Sequence, residues 1–102
     1  MGKIVKAAHK KDIPAGNGIC VEVEGKSIAL FHINGKFFAI DDACTHAGGN
    51  LSEGSLEGEV VTCPWHGATF DVKNGKALTA PAFDDLQSYP VHIQGEDICI
   101  EI

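Results

Sequence analysis

The chain has no run near the ~18 consecutive apolar residues that a bilayer-crossing helix needs, which excludes a helical membrane protein. It is poor in basic residues, with 8 Lys and Arg against 14 Asp and Glu and a net charge of −6. Nucleic acids and anionic membranes are bound through basic faces, so both are excluded as partners. The acidic surface suits solubility or steering toward a basic protein. Residues 1–11 alternate Lys with small or apolar residues and lack the apolar core of a signal peptide. Lys6 stands where a myristoylation signal following Gly2 would need Ser or Thr. A cytoplasmic protein is therefore expected. Catalytic equipment is also missing. No nucleophile stands beside a base, no Gly-rich phosphate loop is followed by Lys, and no two-His-one-carboxylate spacing could hold a single iron. Substrate turnover is not expected of this chain.

Helical periodicity is absent too: no window of eleven or more residues keeps it. What is present is turn chemistry. Glu24-Gly25, Asn34-Gly35, Asn74-Gly75 and Gln94-Gly95 punctuate the chain, and Asx-Gly pairs supply the positive φ of tight hairpins. Between them lie short β-prone runs: 20–24, 27–33, 36–40, 59–62, 69–72, 91–93 and 98–102. Val21 and Val23 alternate in the first run, and Ile98, Ile100 and Ile102 in the last. Residues 51–54 and 84–88 are each expected to make one helical turn at most. The fold class is all-β, with small antiparallel sheets in a sandwich- or barrel-like arrangement. At 102 residues the chain is expected to be one domain, 1–102.

Two Gly-rich stretches interrupt the strands, at 41–58 and 63–68, and a third loop runs from Pro81 to Ser88. Loops on a rigid β scaffold commonly carry function. The first holds Cys44-Thr45-His46 and the second Cys63-Pro64-Trp65-His66, with sixteen residues between His46 and Cys63. Four Cys in a chain expected in the cytosol point to metal or redox chemistry before disulfides. Two thiolates and two imidazoles suit one tetrahedral zinc, making the chain a structural interaction module. They equally suit a [2Fe–2S] cluster with both Cys on one iron and both His on the other. The interleaved order Cys, His, Cys, His favours the cluster, since zinc sites usually pair like with like. Gly48, Gly49 and Gly67 allow close approach of backbone amides to bridging sulfides. Pro64 stiffens the second loop, and Trp65 supplies bulk over the site.

These segments resemble a known fingerprint. Cys-Thr-His-Ala-Gly-Gly at 44–49 and Cys-Pro-Trp-His-Gly at 63–67 are similar to the paired motifs of Rieske [2Fe–2S] proteins. Residues 35–42, 51–54 and 70–75 resemble the Rieske ferredoxins of bacterial aromatic-ring dioxygenase systems, and the likeness runs over essentially the whole chain. The resemblance implies a Rieske fold, a β base with a cluster-binding subdomain at its tip formed from loops in about 41–85. It implies a one-electron carrier between a flavin-containing NAD(P)H-dependent reductase and a terminal ring-hydroxylating oxygenase. It also implies docking near His46 and His66. A small Rieske subunit of a nitrite reductase is the alternative within electron transfer. The respiratory branch of the family has a disulfide whose cysteines would fall at Gly49 and Trp65. It also has a sulfide-bonding serine that would fall at Ala68. Their replacement implies a low potential.

The remaining candidates read as scaffold. Cys20 and Cys99 lie opposite their apolar neighbours without partners at ligand spacing, as structural thiols would. His9, His32 and His92 lack metal spacing, and the latter two are expected to face outward. Pro81 and Ala82 form either a third covering loop or a plain turn. Asp41, Asp42, Glu53 and Glu57 crowd the first loop, as an acidic docking rim or as solvated side chains.

Overall fold

A computed structural model describes residues 3–42, 51–64, 68–78 and 85–102. Its strands are β1 (Ile4–His9), β2 (Gly18–Val23), β3 (Lys26–Ile33), β4 (Lys36–Asp41), β5 (Ser55–Glu57), β6 (Val60–Thr62), β7 (Thr69–Asp71), β8 (Ser88–Tyr89), β9 (Val91–Gln94) and β10 (Asp97–Glu101). They form three antiparallel sheets, ordered β1-β10-β9, β2-β3-β4-β8 and β5-β6-β7. The all-β architecture is as expected, and the helical elements among the described residues are two three-residue 3-10 turns, Lys10–Asp12 and Leu51–Glu53.

Local sequence explains the β2-β3-β4 meander. Val23 pairs with Lys26 and Ile33 with Lys36, leaving the two-residue turns Glu24-Gly25 and Asn34-Gly35. All four residues have positive φ, 53° and 80° in the first turn and 50° and 80° in the second. Positive φ at both central positions gives a turn whose twist matches that of the flanking strands.

Strand β3 is the spine of the molecule. Its even positions Ile28 and Leu30 pack with Ala8, Ile13, Val23, Ala39, Tyr89, Ile98 and Ile100. Its odd positions Ala29, Phe31 and Ile33 pack with Ile40, Leu51, Val61, Cys63, Ala68, Phe70, Val72 and Leu86. The β2-β3-β4-β8 sheet is thus covered on one face by the β1-β10-β9 sheet and on the other by the β5-β6-β7 sheet. Ile28, Leu30 and Phe31 are at most 1% exposed. Burying each contributes about 1.5–3 kcal/mol, so together they match the order of a domain's whole net stability, ~5–15 kcal/mol.

Three elements differ from expectation. Ile4–His9 forms a strand because its backbone pairs with β10, Ile4 opposite Glu101 and Val5 opposite Ile100. Ser55–Glu57 forms β5 within a stretch expected to be loop, held by pairing with β6. Residues 85–87 make no helical turn, and Ser88 belongs to β8. Asp41 N donates to Gln87 O at 2.9 Å, and Ser88 pairs with Ile40, extending the edge of β4.

Candidate iron–sulfur site

Cys63 follows β6 and is placed by the β6–β7 hairpin. Thr62 pairs with Thr69, and one step beyond, Cys63 N donates to Ala68 O at 2.7 Å. Cys63 is 1% exposed and Ala68 fully buried, both in the core beneath the odd face of β3. Leu51 and Leu86 belong to the same core. They lie at the C-terminal ends of segments 43–50 and 79–84, so the roots of the first loop, the second motif and the third loop converge there.

Each root is closed by hydrogen bonds. At the first, Leu51 N donates to Asp42 O at 2.7 Å and Ser52 N to Asp42 Oδ1 at 2.8 Å. The second is the Cys63–Ala68 pair. At the third, Ala77 N donates to Asp85 Oδ1 at 2.8 Å and Leu86 N to Gly75 O at 2.7 Å. Of the four ligands expected from sequence, Cys63 is described, and Cys44, His46 and His66 lie outside the described residues. So do Gly48, Gly49, Trp65, Gly67, Pro81 and Ala82.

The setting of Cys63 fits a metal-bound thiolate. Cys63 is a soft sulfur donor fixed at the foot of the second motif through the bond from its amide to Ala68 O, as a ligand to a metal centre is. The model of the Rieske [2Fe–2S] domain family matches residues 3–90. The chain belongs to this family. One [2Fe–2S] cluster is its cofactor, which decides between the iron–sulfur and zinc readings. Among relatives of this Rieske protein, the ferredoxin component of the naphthalene 1,2-dioxygenase system of Pseudomonas aeruginosa is 40% identical. That alignment spans 98% of this chain and 96% of the relative. The 3-phenylpropionate/cinnamic acid dioxygenase ferredoxin subunit of Escherichia coli (strain K12) is 46% identical over 96% of this chain and 92% of that subunit. A chain from the complex of reduced oxygenase and oxidised ferredoxin in carbazole 1,9a-dioxygenase superposes with a TM-score of 0.89. It is 30% identical, over 95% of this chain and 91% of that one.

The acidic rim needs correction. Asp42 is 2% exposed, and its bonds at the first root turn it inward. Asp41 accepts from the Tyr89 hydroxyl at 2.6 Å. Glu53 and Glu57 are exposed. Burial, and next the hydrogen bond to the Asp41 carboxylate, push the Tyr89 hydroxyl well above the ordinary tyrosine range. The Cys20 thiol is pushed up to about 11, first by partial desolvation and then by donating a hydrogen bond to Asp42. The structural part played by Asp42 was missed from sequence. An Asp at the start of a loop that returns to a Leu-Ser turn is the signal that could have found it, since Asp side chains readily accept from nearby backbone amides.

The other candidates are scaffold, with two differences from expectation. Cys99 does lie opposite Ile98 and Ile100, yet it is 5% exposed, between its in-register neighbours Lys6 and His92. His32 is half-buried: its Nδ1 lies 2.8 Å from Ile13 O and its ring stacks on Phe37 with centroids 4.3 Å apart. His92 is partly exposed and pairs with Glu101 at 3.1 Å.

Proposed function

We propose that this protein is the ferredoxin component of a multicomponent aromatic-ring-hydroxylating dioxygenase system. In this reading it accepts single electrons from a flavin-containing NAD(P)H-dependent reductase and delivers them to a terminal oxygenase. Residues 1–102 act as one Rieske domain in the cytoplasm; among the described residues no helix is long and apolar enough to cross a membrane. The observation that carries the reading is similarity of 40–46% identity to dioxygenase ferredoxins along nearly the full length of both chains. That favours a ferredoxin component over the small subunit of a nitrite reductase.

Cys44, His46, Cys63 and His66 are the residues that would hold the cluster. When bound, the cluster supplies reversible one-electron exchange. The chain's own contribution is placement. The β6–β7 hairpin brings Cys63 into the core, and hydrogen bonds close the roots at Asp42–Leu51 and Cys63–Ala68. His46 and His66 form the docking point at which partners meet the protein. The contact is small and transient, as redox encounters are.

The test uses the purified protein. Iron and acid-labile sulfide should be equal, and the reduced state should give the low average g value of mixed Cys and His ligation. Replacing His66→Cys should abolish that signature, and an unchanged spectrum removes His66 from the ligand set. Mixed with an NAD(P)H-dependent reductase and a ring-hydroxylating oxygenase, the protein should restore product formation. A chain that stays bound to a large reductase through gel filtration, and supports no oxygenase, refutes the carrier reading.

A further inference from the structure

Asp42 is the one charged or polar side chain among the described residues that is fully buried. A buried carboxylate is costly unless donors surround it. Three elements meet at this residue. Its amide donates to Ser27 O in β3 at 3.1 Å, tying it to the spine. Its carbonyl accepts from Leu51 N, and its carboxylate from Ser52 N. The 3-10 turn Leu51–Glu53, which holds both of these donors, packs on β2 and β3. Leu51 itself is fully buried, so the return point is held by packing as well. Residues 42 and 51 are thereby fixed to each other and to the central sheet, and the segment between them carries Cys44 and His46.

We propose that Asp42 is a positioning residue for the iron–sulfur centre. Its backbone and carboxylate fix residue 42 and residues 51–52, between which Cys44 and His46 lie in the sequence, to each other and to β3. The inference rests on Cys44 and His46 being ligands. A clamp of this kind limits the nuclear rearrangement that accompanies gain or loss of an electron, and it opposes release of the cluster. Asn in place of Asp keeps an oxygen that can accept from Ser52 N, whereas Ala removes it.

The experiment compares wild-type protein, D42N and D42A, each loaded with iron and sulfide. Cluster loss is followed as visible bleaching under an iron chelator, at a temperature where far-UV circular dichroism is native for all three. The reduced-state EPR line shape is recorded alongside. Losing a hydrogen bond to a charged group should speed bleaching of D42A by roughly tenfold or more, with broadened EPR lines. D42N should fall between wild type and D42A, because the Ser52 bond survives but ends on a neutral acceptor. Should D42A fail to load, amide exchange on the wild type carries the test. The peptide containing Leu51 and Ser52 should be protected as strongly as β3, and rapid exchange there overturns the clamp. A wild-type protein lacking the Rieske EPR signal refutes the ligand assignment, and the clamp with it. A normal wild-type signal with D42A indistinguishable in bleaching and line shape overturns the role of Asp42 alone.

Discussion

Replacing Phe70→Ala should cost stability and cluster retention together, whereas an equally damaging change on the other face of β3 should cost stability alone. Phe70 is fully buried at the centre of β7, opposite Val61 and bridged on its other side to Ala77. It packs in the core shared by Leu51, Cys63, Ala68 and Leu86, where the three loop roots meet. Truncating a buried Phe removes its transfer free energy and leaves a cavity, about 3–5 kcal/mol in total. With a urea m-value of about 2 kcal/mol/M, the midpoint should fall by roughly 1.5–2.5 M. The matched control is Leu30→Ala, equally buried but in the core beneath the β1-β10-β9 sheet, at about 2–5 kcal/mol. Urea titrations of the loaded protein would record far-UV circular dichroism and visible absorbance on the same samples. In wild type and Leu30→Ala the two transitions should coincide. In Phe70→Ala the visible signal should fail at lower urea. Coincident transitions in all three, or a Phe70→Ala cost below about 1 kcal/mol, would refute the assignment of this core to the cluster site.

Gly54→Ala should destabilise the protein by at least the ~1–3 kcal/mol of an overpacked site, because a Cβ at Gly54 would run into the Thr62 carbonyl oxygen and part β5 from β6; thermal unfolding measures it. Alkaline pH should weaken the fold. Tyr89 and Cys20 both have raised pKa values in the folded state, so the unfolded chain gives up these protons first. Their contribution is complete below the ordinary pKa values, near 9 for Cys and 10 for Tyr, and is lost as pH rises beyond them. Urea midpoints taken from pH 8 to 11 should fall, less steeply in Tyr89→Phe. The buried methyl of Ala68 supplies no hydrogen-bond donor, so the midpoint potential should lie near the low end of the Rieske span, roughly −150 mV. Ala68→Ser should raise it, and a clearly positive wild-type value would contradict the reasoning.

Hairpins were the most legible part of the fold in the sequence, because a pair such as Asn34-Gly35 between apolar runs specifies both turn and register locally. The strand at Ile4–His9 was not legible. Its partner, β10, lies some ninety residues away, and nothing in its Lys-rich neighbourhood announces the pairing. β5 was hidden for a related reason: three residues of mixed polarity become a strand only when β6 lies beside them. At the site, Cys63 was recognisable from its spacing to His66. Asp42 was not, since an acidic residue next to a loop reads as solvated until the surrounding donors are seen. His32 shows the same limit, its ring being held inward by a carbonyl nineteen residues back.

The two-sided burial of β3 restricts how relatives of this protein can vary in length. Even positions serve one core and odd positions the other, so a single residue inserted or deleted within 28–33 would turn the side chains beyond it from the core under one neighbouring sheet to the core under the other. Both cores would be lost at once. Natural length changes should therefore collect outside this strand, and indels in an alignment of homologues should avoid 28–33 altogether.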